Sequence, residues 1–160
     1  MRRPASIVAL LLACALLAPV AAAALEGPRA EYREQVEPIC RANTKANEHI
    51  LRGVRRNVRK GKLKPAGSQL IKASTALRGA VAELKKVPRP AADAERLSEW
   101  LALISNQADL LQRAGRALLA GDRHRAGSLV TQLSNGARRA NALVVSFEFQ
   151  DCRLDASRYT

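Results

Sequence analysis

The sequence predicts an all-α fold: an up-down-up-down four-helix bundle closed by one disulfide, after an N-terminal signal peptide. Three observations carry that expectation. Apolar residues recur at helical spacing in four long segments. Glycine and proline mark the breaks between them. Two cysteines, Cys40 and Cys152, stand near opposite ends of the mature chain.

The leader comes first. Arg2 and Arg3 give a positive start, Ile7 to Leu17 an apolar stretch, and Pro19 a break before Ala21-Ala22-Ala23-Ala24, whose small side chains suit a signal peptidase. This divides the chain into a signal peptide at 1–24 and a helical domain at 25–160. Two alternatives stay open. Leu11-Leu12-Ala13-Cys14 resembles a lipobox, which would make Cys14 a lipid anchor. An uncleaved leader of about 20 apolar residues could also just span a bilayer. The mature chain holds no stretch that reads as a transmembrane helix.

The first segment carries Tyr32, Val36, Ile39, Asn43, Ala46, Ile50, Val54 and Val58 on one stripe, with a kink or a fresh helix start expected at Pro38. Gly61, Pro65 and Gly67 make the first break. The second segment carries Leu63, Leu70, Ser74, Leu77, Val81 and Leu84, and ends at Pro88-Arg89-Pro90. The third carries Leu97, Leu101, Ile104, Ala108, Leu111 and Leu118, and ends at Gly121-Asp122. The fourth carries Ala126, Val130, Leu133, Ala137, Ala140, Val144 and Phe147. Each stripe suits a face turned to a shared core. Gly61 and Gly121 suit left-handed C′ positions, and Asp93 and Asp122 suit helix N-caps. Short connections between long helices imply antiparallel neighbours.

Such a topology puts the start of the first helix and the end of the fourth at one pole, where Cys40 and Cys152 would meet. With Cys14 lost in the leader, an even cysteine count in an oxidising compartment favours a structural bridge over two reactive thiols. Closing so long a loop stabilises by about 4–5 kcal/mol on a chain-entropy argument. Trp100, Phe147, Phe149 and Tyr32 fall toward the same pole and are expected to pack as core. Asn43, Asn47 and Asn141 are expected to join in a buried hydrogen-bond network between helices.

Charge gives the main functional clue. The chain carries a formal net charge of +13, which drops to +11 when Arg2 and Arg3 leave with the signal. Between Glu48 and Glu83 no acidic residue occurs, while Arg52, Arg55, Arg56, Arg59, Lys60, Lys62, Lys64, Lys72 and Arg78 all do. Positions 52, 55, 56 and 59 have the spacing of one helix face. Arg113, Arg116, Arg123, His124 and Arg125 gather around the third break. Both clusters should lie at the pole remote from the cysteines, whose own end carries Glu26, Glu31, Glu34, Glu37, Glu148, Asp151 and Asp155.

Guanidinium forks at such a pole suit phosphate or carboxylate. The chain has one Trp, two Tyr and two Phe, none of them among the arginines, so base stacking on single-stranded nucleic acid is unsupported. Export also argues against nucleic acid as a partner. An anionic envelope polymer or an anionic lipid surface fits location and charge together. Catalysis finds little in the sequence. The two histidines, His49 and His124, sit in different segments, and no HExxH, ExxH pair, CxxCH, GxSxG or phosphate-cradling glycine loop occurs. No metal or cofactor is expected.

The stretch Ile39-Cys40-Arg41-Ala42-Asn43-Thr44-Lys45-Ala46-Asn47, the turn Gly61-Lys62-Leu63-Lys64 and the ending from Ala140 to Cys152 resemble a group of uncharacterised exported paired-cysteine helical proteins of high-GC actinobacteria. The abundance of alanine and arginine suits that origin. The resemblance implies a helical domain at the cell envelope and names no activity.

The expectation is therefore a non-catalytic secreted or envelope-associated protein. Its anion-binding residues would be Arg52, Arg55, Arg56, Arg59, Lys60, Lys62, Lys64, Arg123 and Arg125. The alternative is a protein–protein or small-ligand module that uses Asn43, Asn47, Trp100, Asn141 and Phe147 at the cysteine end.

Overall fold

The structure, a computed structural model, describes residues 18–155, with side chains from residue 26 onward. The apolar leader up to residue 17 lies outside the described residues, as does Cys14. Among the described residues the fold is all-helical: α1 (Ala18–Ile50), α2 (Val54–Arg59), α3 (Leu63–Leu84), α4 (Ala94–Leu119) and α5 (Arg123–Leu143). Single 3-10 turns stand at Ala91–Asp93 and Val145–Phe147. No helix among these residues is long and apolar enough to cross a membrane.

α1 covers the backbone of the expected cleavage region at 21–24, and its packed part begins at Arg29. Tyr32, Val36, Cys40 and Asn47 form its buried stripe. That phase differs from the expected one by a step, because Ala46 is exposed and Asn47 is buried. Pro38 neither ends the helix nor starts a new one. It lies on the exposed face, so the carbonyl it orphans at Glu34 meets solvent, while Val36, Glu37 and Cys40 hold the opposite side.

The first long segment is instead divided at Gly53, whose φ of 80° lies in the left-handed region open to glycine. Residues 51–53 form a turn, and α2 is a short helix of 6 residues. Gln69 of α3 holds that turn in place. Its Nε2 donates to the carbonyls of Ile50 (2.8 Å) and Arg52 (3.0 Å), and its Oε1 accepts from Asn57 Nδ2 (3.1 Å). Two carbonyls left over at a helix end are thereby satisfied. Pro65 and Gly67, expected in the break, lie inside α3. Pro65 falls in the first turn, where its missing N–H would have had no partner anyway.

α3 and α4 are the centre of the molecule. α1 and α2 pack on α3, and α5 packs on α4. Paired residues of α3 and α4 ascend on one helix as they descend on the other: Gly67 with Gly115, and Ser74 with Ala108, whose carbonyl accepts from Ser74 Oγ at 2.7 Å. The two helices therefore run antiparallel. At Gly67 a Cβ would stand 2.6 Å from the Gly115 carbonyl oxygen, and at Gly115 a Cβ would stand 2.7 Å from that of Gly67. The two glycines thus let the backbones touch. The core runs on through Leu70, Leu77, Leu97, Leu101, Ile104, Leu111 and Leu133, and each of these falls on an expected stripe.

Glycine ends both α2 and α4 in the same way. Gly61 (φ 73°) donates to Val58 and Lys62 to Asn57, at 3.1 and 2.8 Å. Gly121 (φ 81°) donates to Leu118 and Asp122 to Ala117, at 3.0 and 2.9 Å. Each pair is a Schellman arrangement. Asp122 then caps α5, accepting from the Arg125 amide at 2.8 Å. Asp93 departs from expectation. It stands at the N-cap of α4, but its side chain accepts no capping hydrogen bond and instead takes both nitrogens of a fork from Arg29, at 2.8 and 2.9 Å. A bidentate guanidinium outcompetes a neutral amide for one carboxylate.

Cys40 and Cys152 are bridged, with a Cα–Cα distance of 4.9 Å and a sequence separation of 112. The tail that carries Cys152 has further ties. Glu37 accepts from the amides of Gln150 (2.6 Å) and Asp151 (2.8 Å). Arg41 pairs with Asp151 at 2.7 Å, and Asn141 exchanges two hydrogen bonds with the Leu154 backbone, at 2.9 and 2.8 Å.

Candidate functional site

The basic pole is built from two turns. The first spans α2 and the Gly61 turn into α3; the second is the Gly121-Asp122 turn into α5. Arg123 joins them: its Nη2 donates to the Val58 carbonyl at 2.9 Å, across 65 positions of sequence. This carbonyl already receives the Gly61 amide, so the guanidinium locks onto the Schellman turn itself. A Cβ on Gly61 would lie 3.5 Å from Arg123 Nη2, an ordinary contact, so the glycine serves the left-handed turn rather than the guanidinium.

Arg52, Arg55, Arg56, Arg59, Lys60, Lys62, Lys64, Arg123 and Arg125 are all exposed. Their arrangement differs from the expected single helix face. Arg52 lies in the turn before α2, so only Arg55, Arg56 and Arg59 share a helix. The spacing 52, 55, 56, 59 continues a helical period across Gly53, where the backbone does not. Arg56 folds back over that turn, its Nη2 3.2 Å from where a Cβ on Gly53 would stand.

Seven ion pairs lie away from this pole. Arg29–Asp93, Arg33 with Glu26 and Glu148, Arg41–Asp151, and Arg96–Asp93 serve the cysteine end. Arg78–Asp109 and Lys86–Glu83 lie along α3 and its exit. Among the described residues, Arg56, Arg59, Lys60, Lys62, Lys64 and Arg125 enter no ion pair within 4.0 Å. Asp122, the acid closest in sequence to Arg123 and Arg125, commits an oxygen to the α5 cap. A shallow depression between Lys62, Lys64 and Leu119 sits in this pole, with Leu119 40% exposed.

At the cysteine end the aromatic residues are enclosed. Trp100 and Phe147 are each 0% exposed. Phe149 links them, its ring 5.4 Å from Trp100 and 5.3 Å from Phe147, and Tyr32 packs edge-on to Phe147 at 6.0 Å. Burial pushes the Tyr32 hydroxyl up to about 12. Arg29 lies 5.4 Å over the Phe147 ring. Its hydrogen bonds hold the Asp93 carboxyl below the ordinary carboxylate range, and the guanidinium is raised in turn. Trp100 and Phe147 are therefore walls of the core with no face toward solvent.

The three asparagines do not form one network. Asn47 Nδ2 donates to Asn43 Oδ1 at 3.0 Å within α1, while Asn141 spends both ends of its amide on Leu154. Asn141 is a clasp for the tail. Sequence reasoning passed over Gln69 and Gln107, and took Glu37 only as one charge of the cysteine end rather than as the acceptor for the tail. Each is a polar side chain on an otherwise apolar helix face, and that placement was the available signal. Gln107 is 4% exposed, and its amide fills the space above Gly136, where any Cβ would collide with it.

His49 and His124 are exposed, at the end of α1 and the start of α5. Among the described residues no three His, Cys, Asp or Glu side chains are grouped so as to hold a metal ion. No protein-family model matches the chain, and neither a curated protein nor a solved structure shows significant similarity to it.

Proposed function

We propose that this is a non-catalytic, secreted or envelope-associated helical protein that contacts anionic envelope material, acidic polymer or lipid headgroups, through its basic pole. The observation that carries this reading is the Arg123–Val58 hydrogen bond. It fixes two cationic turns, far apart in sequence, as one exposed surface. Like charges held together cost electrostatic energy unless a counter-charge covers them, and several of these cations have no carboxylate beside them. The reading includes removal of residues 1–24, closure of the four long helices as an up-down-up-down bundle, and kinship with the exported actinobacterial proteins. The disulfide is consistent with an oxidising, extracytoplasmic setting.

The test is co-sedimentation of the purified domain 25–160 with isolated cell envelopes at about 50 and about 500 mM salt, since exposed contacts weaken as the Debye length contracts. Binding at low salt that is lost at high salt supports the pole. Reversing Arg52, Arg55, Arg56 and Arg59 to Glu should abolish it with helicity intact by circular dichroism. Undiminished binding by that variant overturns the reading.

A further inference from the structure

A second feature lies away from the basic pole and stands or falls independently of it. Between α1, α3, α4, α5 and the tail runs a partly open cleft with a volume of about 100 Å³. Aliphatic side chains such as Leu77, Ile104 and Leu133 form its walls, and the Cys40–Cys152 bridge closes one side. No aromatic ring lines it.

Seven polar side chains line it as well: Asn43, Thr44 and Asp151 are half-buried and Arg153 and Asp155 exposed, while Asn47, 5% exposed, and Gln107, 4% exposed, are buried among the aliphatic walls. Asn47 Oδ1 and Gln107 Nε2 are both buried and without a hydrogen-bond partner. One is an acceptor and the other a donor. Buried amide atoms are almost always paired, because an unpaired one forfeits its hydration with nothing in return. Gln107 packs over Gly136 and Asn47 spends its Nδ2 on Asn43, but neither contact gives Gln107 Nε2 or Asn47 Oδ1 a hydrogen-bond partner, and leucine would supply similar bulk. What the two amides do supply is hydrogen-bonding capacity on the walls of an oily cleft.

We infer that this cleft binds a small neutral amphiphile: a linear aliphatic chain with a hydroxyl or primary carboxamide head. Such a head donates to Asn47 Oδ1 or accepts from Gln107 Nε2, and an ionic head would find neither amide a substitute for its lost hydration. The volume sets the size. An engineered cavity of about 150 Å³ accepts benzene. The smaller cleft, open on one side, encloses about four carbons of such a chain, and the rest runs out through the mouth.

The experiment is a methyl and amide NMR titration of the oxidised protein with 1-hexanol and hexanamide, beside hexanoate and hexylammonium. Hexanol and hexanamide should move the Leu77, Ile104 and Leu133 methyl signals, with at least tenfold weaker effects from the two ions and no dependence on salt. Gln107→Leu and Asn47→Leu each remove one polar atom. At least one should weaken hexanol about tenfold while binding of xenon, which reads the cavity alone, is retained. Ala80 lines the cleft from a half-buried position, so Ala80→Phe should block hexanol and xenon in a folded protein. Three results would overturn the proposal: unmoved methyl signals at saturating hexanol, ions binding as well as the alcohol, or both leucine variants binding hexanol like wild type. In the last case water alone satisfies the two amides.

Discussion

Arg29 and Asp93 are joined by two parallel hydrogen bonds, from Nε at 2.8 Å and Nη2 at 2.9 Å, across 64 positions of sequence. The fork ties the first packed turn of α1 to the start of α4. The Asp93 side chain is only 2% exposed, and Arg96 Nη1 stands 3.5 Å from Oδ1, the oxygen that also accepts from Arg29 Nη2.

Removing Arg29 leaves a buried carboxylate with only the more distant Arg96 beside it. Arg29→Ala should cost about 3 kcal/mol in urea denaturation, the low end for breaking a buried pair. An unchanged midpoint would mean that Arg96 takes over the whole role.

The pH dependence has a definite sign. Asp93 is lowered from its ordinary value of 3.8, mainly by the Arg29 hydrogen bond. Its contribution is therefore fully present above that value and is lost as pH falls through the depressed one. Wild type should lose stability on acidification below 3.8 more steeply than Asp93→Asn, which no longer titrates there. Parallel acid-denaturation curves would sink this.

The glycines separate packing from propensity. An alanine in a helix is better than glycine by about 1 kcal/mol. Nothing lies within 4 Å of a Cβ at Gly79 or Gly127, so alanine there should raise the melting temperature. Gly67→Ala and Gly115→Ala press a methyl against backbone at 2.6 and 2.7 Å. Overpacking of that kind costs about 1–3 kcal/mol, which outweighs the propensity gain. Both should melt earlier than wild type.

Gln69 is the fastener for the turn that carries Arg52. Gln69→Leu leaves the Ile50 and Arg52 carbonyls without their donor and should destabilise by about 1–2 kcal/mol. Amide exchange should rise first around Val54 and Asn57, ahead of α4. Uniform acceleration across the molecule would show that the turn unfolds only with the whole.

Much of this architecture could be read from local pattern. The stripes of α3, α4 and α5, the left-handed Gly61 and Gly121 and the Asp122 cap depend on residues a few positions apart, and spacing reports such things directly. The break at Gly53 was hidden because Ile50, Leu51, Val54 and Val58 keep a helical period across it. Asp93 was misread because capping is a local rule, while its actual partner lies far away on α1. Asn141 looked like a member of a helix–helix network, and its real partner is an irregular tail that no periodicity marks. At the basic pole, charge could be counted from sequence. The hydrogen bond that unites the two turns could not, because it ends on a backbone carbonyl, which every residue has.

The bridge between Cys40 and Cys152 also decides how force passes through the molecule. Helices α2 to α5 all lie between the two cysteines. A pull on the chain before Cys40 and beyond Cys152 travels across the S–S bond and bypasses them. Under stretching, the oxidised domain should lengthen only by what lies outside the ring, while the reduced one should unravel through all four helices. A protein held at a cell surface by one end and tugged at the other would thus keep its shape under load.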